Sequence, residues 1–503
     1  MSVVPAEPEA AWRMVRLTEA VEISPKPDRT GLTDTTPVSF VPMAAVGAGN
    51  GQIDTSTTRL YVEVKKGYTH FRDGDVLFAK ITPCMENGKM AIAHGLRNGV
   101  GLGSTEFHVL RPRAGVDSRY VYHFVSGAKY RNEAAHHMTG AVGQKRVPVS
   151  FLEHSEIPLP SLHEQRRIVA EIEKQFSRLD QAVASLQRVK AQLKRYKASV
   201  LKAAVEGRLV ETEAERARRE GRGLETGTEL AAQGSANAAR GRKPGAAPHY
   251  ETGEQLLKRI LETRRSQWKG KGKYKEPAAP DASSLPELPE GWVWATVDQL
   301  AATDPNAITD GPFGSNLKSE HYREHGPRVI RLQNIKDGEF ADEYAHISAD
   351  RFELLAKHRI YEGDLVIASL GENPPRACII PRFVGPAIVK ADCIRFKPYP
   401  SLAAVYLNFA LNSQPTRRRT KSLLRGIGRP RLTLGEIRAI ALPLPALAEQ
   451  HRIVAEVDRR LSIVREVEAE VDANLRRAEC LRQSVLGAAF SGRLTGDAAA
   501  AAA

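Results

Sequence analysis

Cysteine is scarce: Cys84, Cys378, Cys393 and Cys480 are the four in 503 residues, and no two form a CxxC pair. Thiols this far apart argue against a zinc site and fit a reducing compartment, here read as the cytoplasm. No run of 18 apolar residues occurs, so no transmembrane helix and no membrane partner is expected. The opening MSVVPAEPEAAWRM has neither the basic nor the apolar region of a signal peptide. Catalytic signatures are equally missing. NGKMA (Asn87 to Ala91) lacks the upstream glycine of a Walker loop. The glycines of GAGNG (Gly47 to Gly51) do not open a helix after a strand, which discounts a dinucleotide site. Asn373-Pro374-Pro375 is followed by Arg376, not by the aromatic residue that amino-methyltransferases stack on a flipped base. His136 and His137 have no third ligand at metal spacing, and no nuclease carboxylate pair can be picked out. The chain is therefore read as non-catalytic, with no metal and no cofactor of its own.

What is present begins with length and charge. A chain of 503 residues is too long for one core, and about two to four domains are expected. The formal charge of +14 points to a polyanionic partner, with nucleic acid first among candidates.

One long string occurs twice. From Pro158 to Glu171, 11 of 14 positions are identical in the copy from Pro443 to Glu456, at a constant offset of 285. The same offset brings KASVLKAAVEGRL (Lys197 to Leu209) onto RQSVLGAAFSGRL (Arg482 to Leu494). The middle shares almost no identity but keeps its pattern. Ile172, Leu179, Leu186, Leu193 and Val200 fall seven apart, as do Val457, Val464, Val471, Ala478 and Val485. Such a heptad seam predicts two helices of roughly 40 residues, each about 60 Å long at about 1.5 Å per residue. A helix that long does not bury its seam alone. The favoured partner is the other copy, in an antiparallel pair; the alternative is two separate helices, each on its own domain. Pro158, Pro160, Pro443 and Pro445 forbid helix before them, and Gly207 and Gly492 act as C-caps.

The repeat has a weaker echo upstream. DGDVLFAKITPCMENGKMAI (Asp73 to Ile92) resembles EGDLVIASLGENPPRACII (Glu362 to Ile380), each a Gly-Asp turn followed by a short apolar strand. GSTEFHVLRP matches KADCIRFKP, and Gly143 and Arg146 meet Gly428 and Arg431 at the offset of 285. Short strands, Gly/Pro turns and a few helices make the fold class α+β. The expected plan is two similar α/β globules, 1–156 and 285–441, alternating with the helices 157–209 and 442–494, related by a pseudo-two-fold. A linker occupies 210–284, largely disordered over 211–248 because its large apolar residues there are Leu224 and Leu230 alone, with a short helix near 253–268. Residues 495–503 form a tail.

Basic residues concentrate beside the globules. Arg417, Arg418, Arg419, Lys421, Arg425, Arg429, Arg431 and Arg438 face one acid, Glu436, and Gln144, Lys145 and Arg146 form the matching loop in the first half. Phosphates attract such charge without sequence preference, so Arg417, Arg418, Arg419 and Lys421 are assigned to them. Base edges are read by Arg, Lys, Gln or Asn held on rigid backbone, which makes Gln144, Arg146, Arg429 and Arg431 the candidate readers.

Nearly the whole chain resembles the specificity subunit of type I restriction–modification systems. The resemblance rests on PLPxLxEQxRIVAE and SVLxAAxxGRL in both halves, on WRMVRLTEAVEI (Trp12 to Ile23) and on LPEGWVWATVDQL (Leu288 to Leu300). It implies two target-recognition domains, each reading one half of a split, asymmetric double-stranded DNA sequence. It implies that the helices are spacers that recruit two modification (methyltransferase) subunits, with restriction (motor–nuclease) subunits outside. S-adenosylmethionine, ATP and Mg then belong to those partners. On this basis Glu164, Gln165, Arg167 and Glu171, with Glu449, Gln450, Arg452 and Glu456, are assigned to a partner-facing surface, since a string repeated in sequence would face a partner repeated in space. The readings left beside it are a type IIB specificity subunit, a self-sufficient restriction–methylation enzyme, and a coiled-coil scaffold that binds nucleic acid without sequence choice.

Overall fold

The Gly-Asp turns seen in sequence organise each globule. The computed structural model describes residues 12–141, 143–222, 250–268, 272–304, 306–371, 373–426 and 429–495. The chain divides into two compact units, Met1–Val189 with Glu470–Ala503, and Lys190–Ala469. Each unit holds one globule and a length of both long helices.

In the first unit, the turn at Gly74-Asp75 launches Val76–Ala79, a strand with all four residues buried. Four apolar residues in a row mark a strand covered on both faces, so no alternation is seen. It lies in an antiparallel sheet of order Val21–Ile23, Phe107–Pro112, Val76–Ala79, Met90–Ile92. A second sheet runs Thr58–Leu60, Pro37–Val41, Val100–Gly103, Thr69–Arg72, and its middle pair is parallel. The second unit repeats both sheets. One has the order Ile308–Thr309, Cys393–Phe396, Leu365–Ala368, Arg376–Ile379. The other has His346–Ile347, Tyr322–Ile330, Ala387–Val389, Arg359–Ile360, again with the middle pair parallel.

The turn aspartates do the same task twice. Asp75 accepts from the Arg72 amide at 2.9 Å and pairs with Arg111 at 2.9 and 2.8 Å. Asp364 accepts from the Tyr361 amide at 3.0 Å and pairs with Arg395 at 2.7 Å. Each pair pins a turn to the neighbouring strand; Asp75, Asp364 and Arg395 are buried, and Arg111 is largely so.

The proline segments before the helices are strands. Glu156–Pro158 pairs antiparallel with Met14–Arg16, and Ala441–Leu444 with Val293–Thr296. Two helices of 44 residues then follow at the offset seen in sequence, Leu162–Val205 and Leu447–Phe490. Their pairing is antiparallel in each unit taken by itself. In the first, Asp180 forms an ion pair with Arg482, whose guanidinium lies 4.5 Å from the Phe176 ring, and Arg167 donates to the Thr495 carbonyl at 3.3 Å. In the second, Lys197 meets Glu468 at 2.6 Å, while Val200 and Ala204 share a core with Ile453 and Val457. The heptad residues Val464, Val471 and Ala478 are buried, and Leu179, Leu186 and Leu193 are half-buried, as a seam covered by one partner helix should be.

Gly207 and Gly492 both have positive φ, 66° and 77°. Gly207 also sits where a Cβ would come within 2.3 Å of Pro289 and 3.4 Å of Trp292, so glycine is required there twice over. Gly492 lies beside Trp12 at ordinary contact distance, 3.8 Å from where its Cβ would be, so there the positive φ alone calls for glycine.

The expectation of disorder from 211 is corrected over 211–222. Glu213–Glu220 is a helix with a capping box between Thr212 and Glu215, and Ala214 and Ala217 are buried. Two alanines suffice to bury one face because Glu213 anchors the helix by charge, to Arg452 and Arg222. A second capped helix spans Gly253–Ser266 and buries Leu256, Leu257 and Ile260. Residues 223–249 and 496–503 lie outside the described residues.

Removing one member of a buried ion pair leaves an unpaired charge and costs about 3–5 kcal/mol. Asp75→Ala and Asp364→Ala should each destabilise their own unit by that amount, read as a lower urea midpoint, with the other unit's transition unchanged.

Candidate nucleic-acid interface

The loop carrying Gln144, Lys145 and Arg146 is built on backbone, not on packing. Thr139 and Arg146 exchange both amide–carbonyl bonds, at 3.0 and 2.8 Å, which closes a small hairpin. The Thr82 amide donates to the Lys145 carbonyl and the Val147 amide to the Lys80 carbonyl, fastening the hairpin to the end of Val76–Ala79. In the second unit Arg425 and Arg431 exchange the same two bonds, at 3.0 and 2.9 Å, and the Leu432 amide donates to the Ser369 carbonyl. Gly140 and Gly426, with φ of 122° and 97°, open the two hairpins.

An acid meets the arginine of each hairpin. Arg146 grips Glu106 at 2.7 and 3.0 Å and also donates to the Gln144 carbonyl at 3.0 Å. Arg431 pairs with Asp392 at 3.1 Å, and its guanidinium lies 5.9 Å from the Phe313 ring. Glu106 and Asp392 both stand immediately before the central strand of their sheet, Phe107–Pro112 and Cys393–Phe396. Hydrogen bonding by Arg146 holds the Glu106 carboxyl below its ordinary value.

The remaining basic residues do not act as one cluster. Gln414–Thr420 is a helix, so successive side chains leave in different directions. Arg417 turns inward to Asp337 at 2.8 Å, to the Pro375 carbonyl at 3.1 Å and to Asn412 at 3.0 Å. Arg419 lies over the Trp294 ring at 4.7 Å and donates to the Ala441 carbonyl at 3.2 Å; burial lowers its pKa. These two, expected at phosphates, are spent on holding the globule together. Arg418, Lys421 and Arg429 are exposed, as are Gln144 and Lys145.

The repeated string proves to be largely an internal joint. Gln165 is buried at the start of its helix; it accepts from the Asp117 amide at 2.9 Å and donates to the Pro160 carbonyl at 2.9 Å. Gln450 is buried likewise, accepting from the Ala403 amide at 3.1 Å and donating to the Pro445 carbonyl at 3.0 Å. Tyr120 donates to the Pro158 carbonyl at 2.7 Å and Tyr406 to the Pro443 carbonyl at 2.9 Å. Gln165 and Gln450 are therefore not partner-facing, because each is consumed in tying the helix start to its globule. Glu449 is buried too, whereas Glu164, Arg167, Glu171, Arg452 and Glu456 keep some exposure. Glu171 is engaged by Lys174 and Gln175, and Glu456 by Arg459 and Arg460, along their own helices.

Residues 9–195 and 332–471 match the type I restriction modification DNA specificity domain. The chain belongs to that specificity-subunit family. It is 30% identical over 476 residues to the specificity subunit of the type I restriction enzyme EcoAI of Escherichia coli, a match covering 90% of this chain and 78% of that one. The EcoEI specificity subunit of the same organism is 27% identical over 471 residues, with the same coverage. In fold, the chain is similar to one in a structure described as the basis of complex assembly and conformational transition of the type I R-M system, with a TM-score of 0.62, 20% identity, and coverage of 97% of this chain and 100% of that one. This specificity chain thus has two recognition domains, and the Asn-Pro-Pro stretch leads into the strand Arg376–Ile379 within the second. Glu106 and Asp392 were missed in sequence, although both sit in the matched strings GSTEFHVLRP and KADCIRFKP. Among the described residues no group of three His, Cys, Asp or Glu side chains could hold a metal, and no helix is long and apolar enough to cross a membrane.

Glu449 accepts from the Trp292 indole at 3.0 Å and the Glu213 amide at 2.9 Å, and burial pushes its pKa up to about 7. A carboxyl whose folded pKa is raised stabilises the fold below its ordinary value and loses that contribution as pH rises through the folded value. The second unit should therefore lose on the order of 3 kcal/mol as pH rises from about 4.5 through about 7 from this group. Glu449→Gln should flatten that fall, measured as melting temperature against pH.

Proposed function

We propose that this chain is the DNA-reading, non-catalytic subunit of a type I restriction–modification complex. Each unit reads one half of a split, asymmetric duplex target, and the paired helices set the spacing of the halves. Two modification subunits, using S-adenosylmethionine, and restriction subunits, using ATP and Mg, carry the chemistry in the cytoplasm, where the DNA is. The observation that supports this most is the pair of hairpins: one backbone frame, built twice, with different exposed side chains at its tips, Gln144 and Lys145 against Arg429. A protein with one duty per half would repeat the tips; a reader of an asymmetric sequence must vary them. The net charge of +14 supplies the non-specific attraction to duplex phosphate.

The test is a domain exchange. The full chain, assembled with its modification subunits, selects from a pool of random duplexes before and after Val15–Pro148 is replaced by the same region of a relative. One half of the selected sequence should change and the other should persist. Change in both halves by a folded chain contradicts the reading, and methyl transfer or cleavage by the purified chain alone contradicts its non-catalytic role.

Phosphate contacts follow exposure. Arg418→Ala and Lys421→Ala should weaken cognate and scrambled duplexes equally, each lowering the salt slope by about 0.9. Arg417→Ala should instead lower thermal stability, because it strips Asp337 and the Pro375 carbonyl of their partner.

A further inference from the structure

Arginine at position 146 and arginine at position 431 stand where a guanine reader would be sought, yet their geometry argues for a different task. All three guanidinium nitrogens of Arg146 are engaged, Nε and Nη2 by Glu106 and Nη1 by the Gln144 carbonyl. Arg431 forms an ion pair with Asp392 at 3.1 Å, without, among the described residues, the further bonds that hold Arg146. To grip a guanine edge, either arginine would first have to leave a carboxylate that holds it in a charge-assisted pair. Each pair is also close to neutral, which weakens its attraction to phosphate.

The second argument is symmetry. Both arginines occupy the closing position of a hairpin, and both meet an acid that stands one residue before the same strand of the repeated sheet. Groups that read two different half-sites must differ between the halves. Groups that hold the reading loop in place need not. The hairpins also differ in length while keeping the clamp: Thr139 to Arg146 is one residue longer than Arg425 to Arg431. The opening position differs as well, Thr139 against Arg425, whose side chain pairs with Glu436 at 3.1 Å; what recurs is the closing arginine with its acid, while the tip varies. There Gln144, Lys145 and Arg429 are exposed, and among the described residues their side chains make no hydrogen bond or ion pair.

We infer that Glu106–Arg146 and Asp392–Arg431 are a duplicated clamp of positioning residues, which aims the hairpin tip at the DNA and leaves base reading to Gln144, Lys145 and Arg429. This rests on the DNA-reading function proposed above. It replaces Arg146 and Arg431 as readers and keeps their loop.

The test uses the full chain with its modification subunits and selection from a pool of random duplexes. Arg146→Lys and Arg431→Lys preserve the charge and the pairing with the acid but lose the planar fork. The selected sequence should be unchanged for both. A reader of guanine would instead lose roughly 5- to 150-fold in discrimination at one position of its own half. Arg146→Glu, which sets two carboxylates together, should blur the whole first half and spare the second. The exchange Glu106→Arg with Arg146→Glu should restore it. Gln144→Ala and Arg429→Ala should each alter base preference in one half alone. Loss of a single guanine position in either lysine variant, with the tip variants silent, overturns the clamp. If the charge exchange does not fold, as judged by circular dichroism, the lysine variants decide. A parent chain that selects no split sequence overturns the DNA-reading function itself, and the clamp with it.

Discussion

A buried carboxamide at the start of each long helix is the contact on which the architecture depends. Gln165 and Gln450 each satisfy one amide of the globule and one carbonyl of the proline segment between the strand and the helix. A glutamine fits because its side chain offers both an acceptor and a donor, which no carboxylate or ammonium does. The joint fixes the direction in which the helix leaves the globule. Any error there would be multiplied along a helix of 44 residues. That explains why the string around each glutamine tolerates so little change while the helix middle tolerates almost any residue that keeps its seam.

The far ends of the helices are fixed by a different device. Gly207 packs on Trp292 and Pro289, and Gly492 on Trp12, so each helix finishes against the residues that open a globule. Within each unit, the beginning of one helix and the end of the other are therefore bound to the same globule, and the antiparallel pair follows from that anchoring as much as from the heptads. The second unit adds a strap. The helix Glu213–Glu220 sets Glu213 between Arg452 and Arg222 and covers Glu449, so a charged group becomes buried without being stranded.

The globules show how a recognition protein divides its residues between frame and tip. The frame consists of pairs that recur: Asp75–Arg111 with Asp364–Arg395, and Glu106–Arg146 with Asp392–Arg431. These are invisible one at a time, because an acid and an arginine about 30 to 40 residues apart in sequence announce nothing until strands bring them together. The tips are the part left free to vary, and they sit on loops held by backbone bonds that any side chain permits.

Periodicity and repetition made the α+β class, the two long helices, their proline and glycine boundaries, the paired globules and the recognition family legible from residues alone, because those depend on local backbone preference and on patterns that survive divergence. The Gly-Asp turns and the alignment of Arg146 with Arg431 were legible for the same reason. Sequence could not tell what each polar residue faces. It placed Gln165 and Gln450 on a partner surface and Arg417 and Arg419 on phosphate, and it read 211–222 as disordered, because charge and conservation between copies look alike whether a group is exposed or buried. Tertiary structure decided those cases. Burial and pairing are properties of residues distant in the chain, Asp337 for Arg417, Trp294 for Arg419, Arg452 for Glu213, and only the folded backbone brings them within bonding distance.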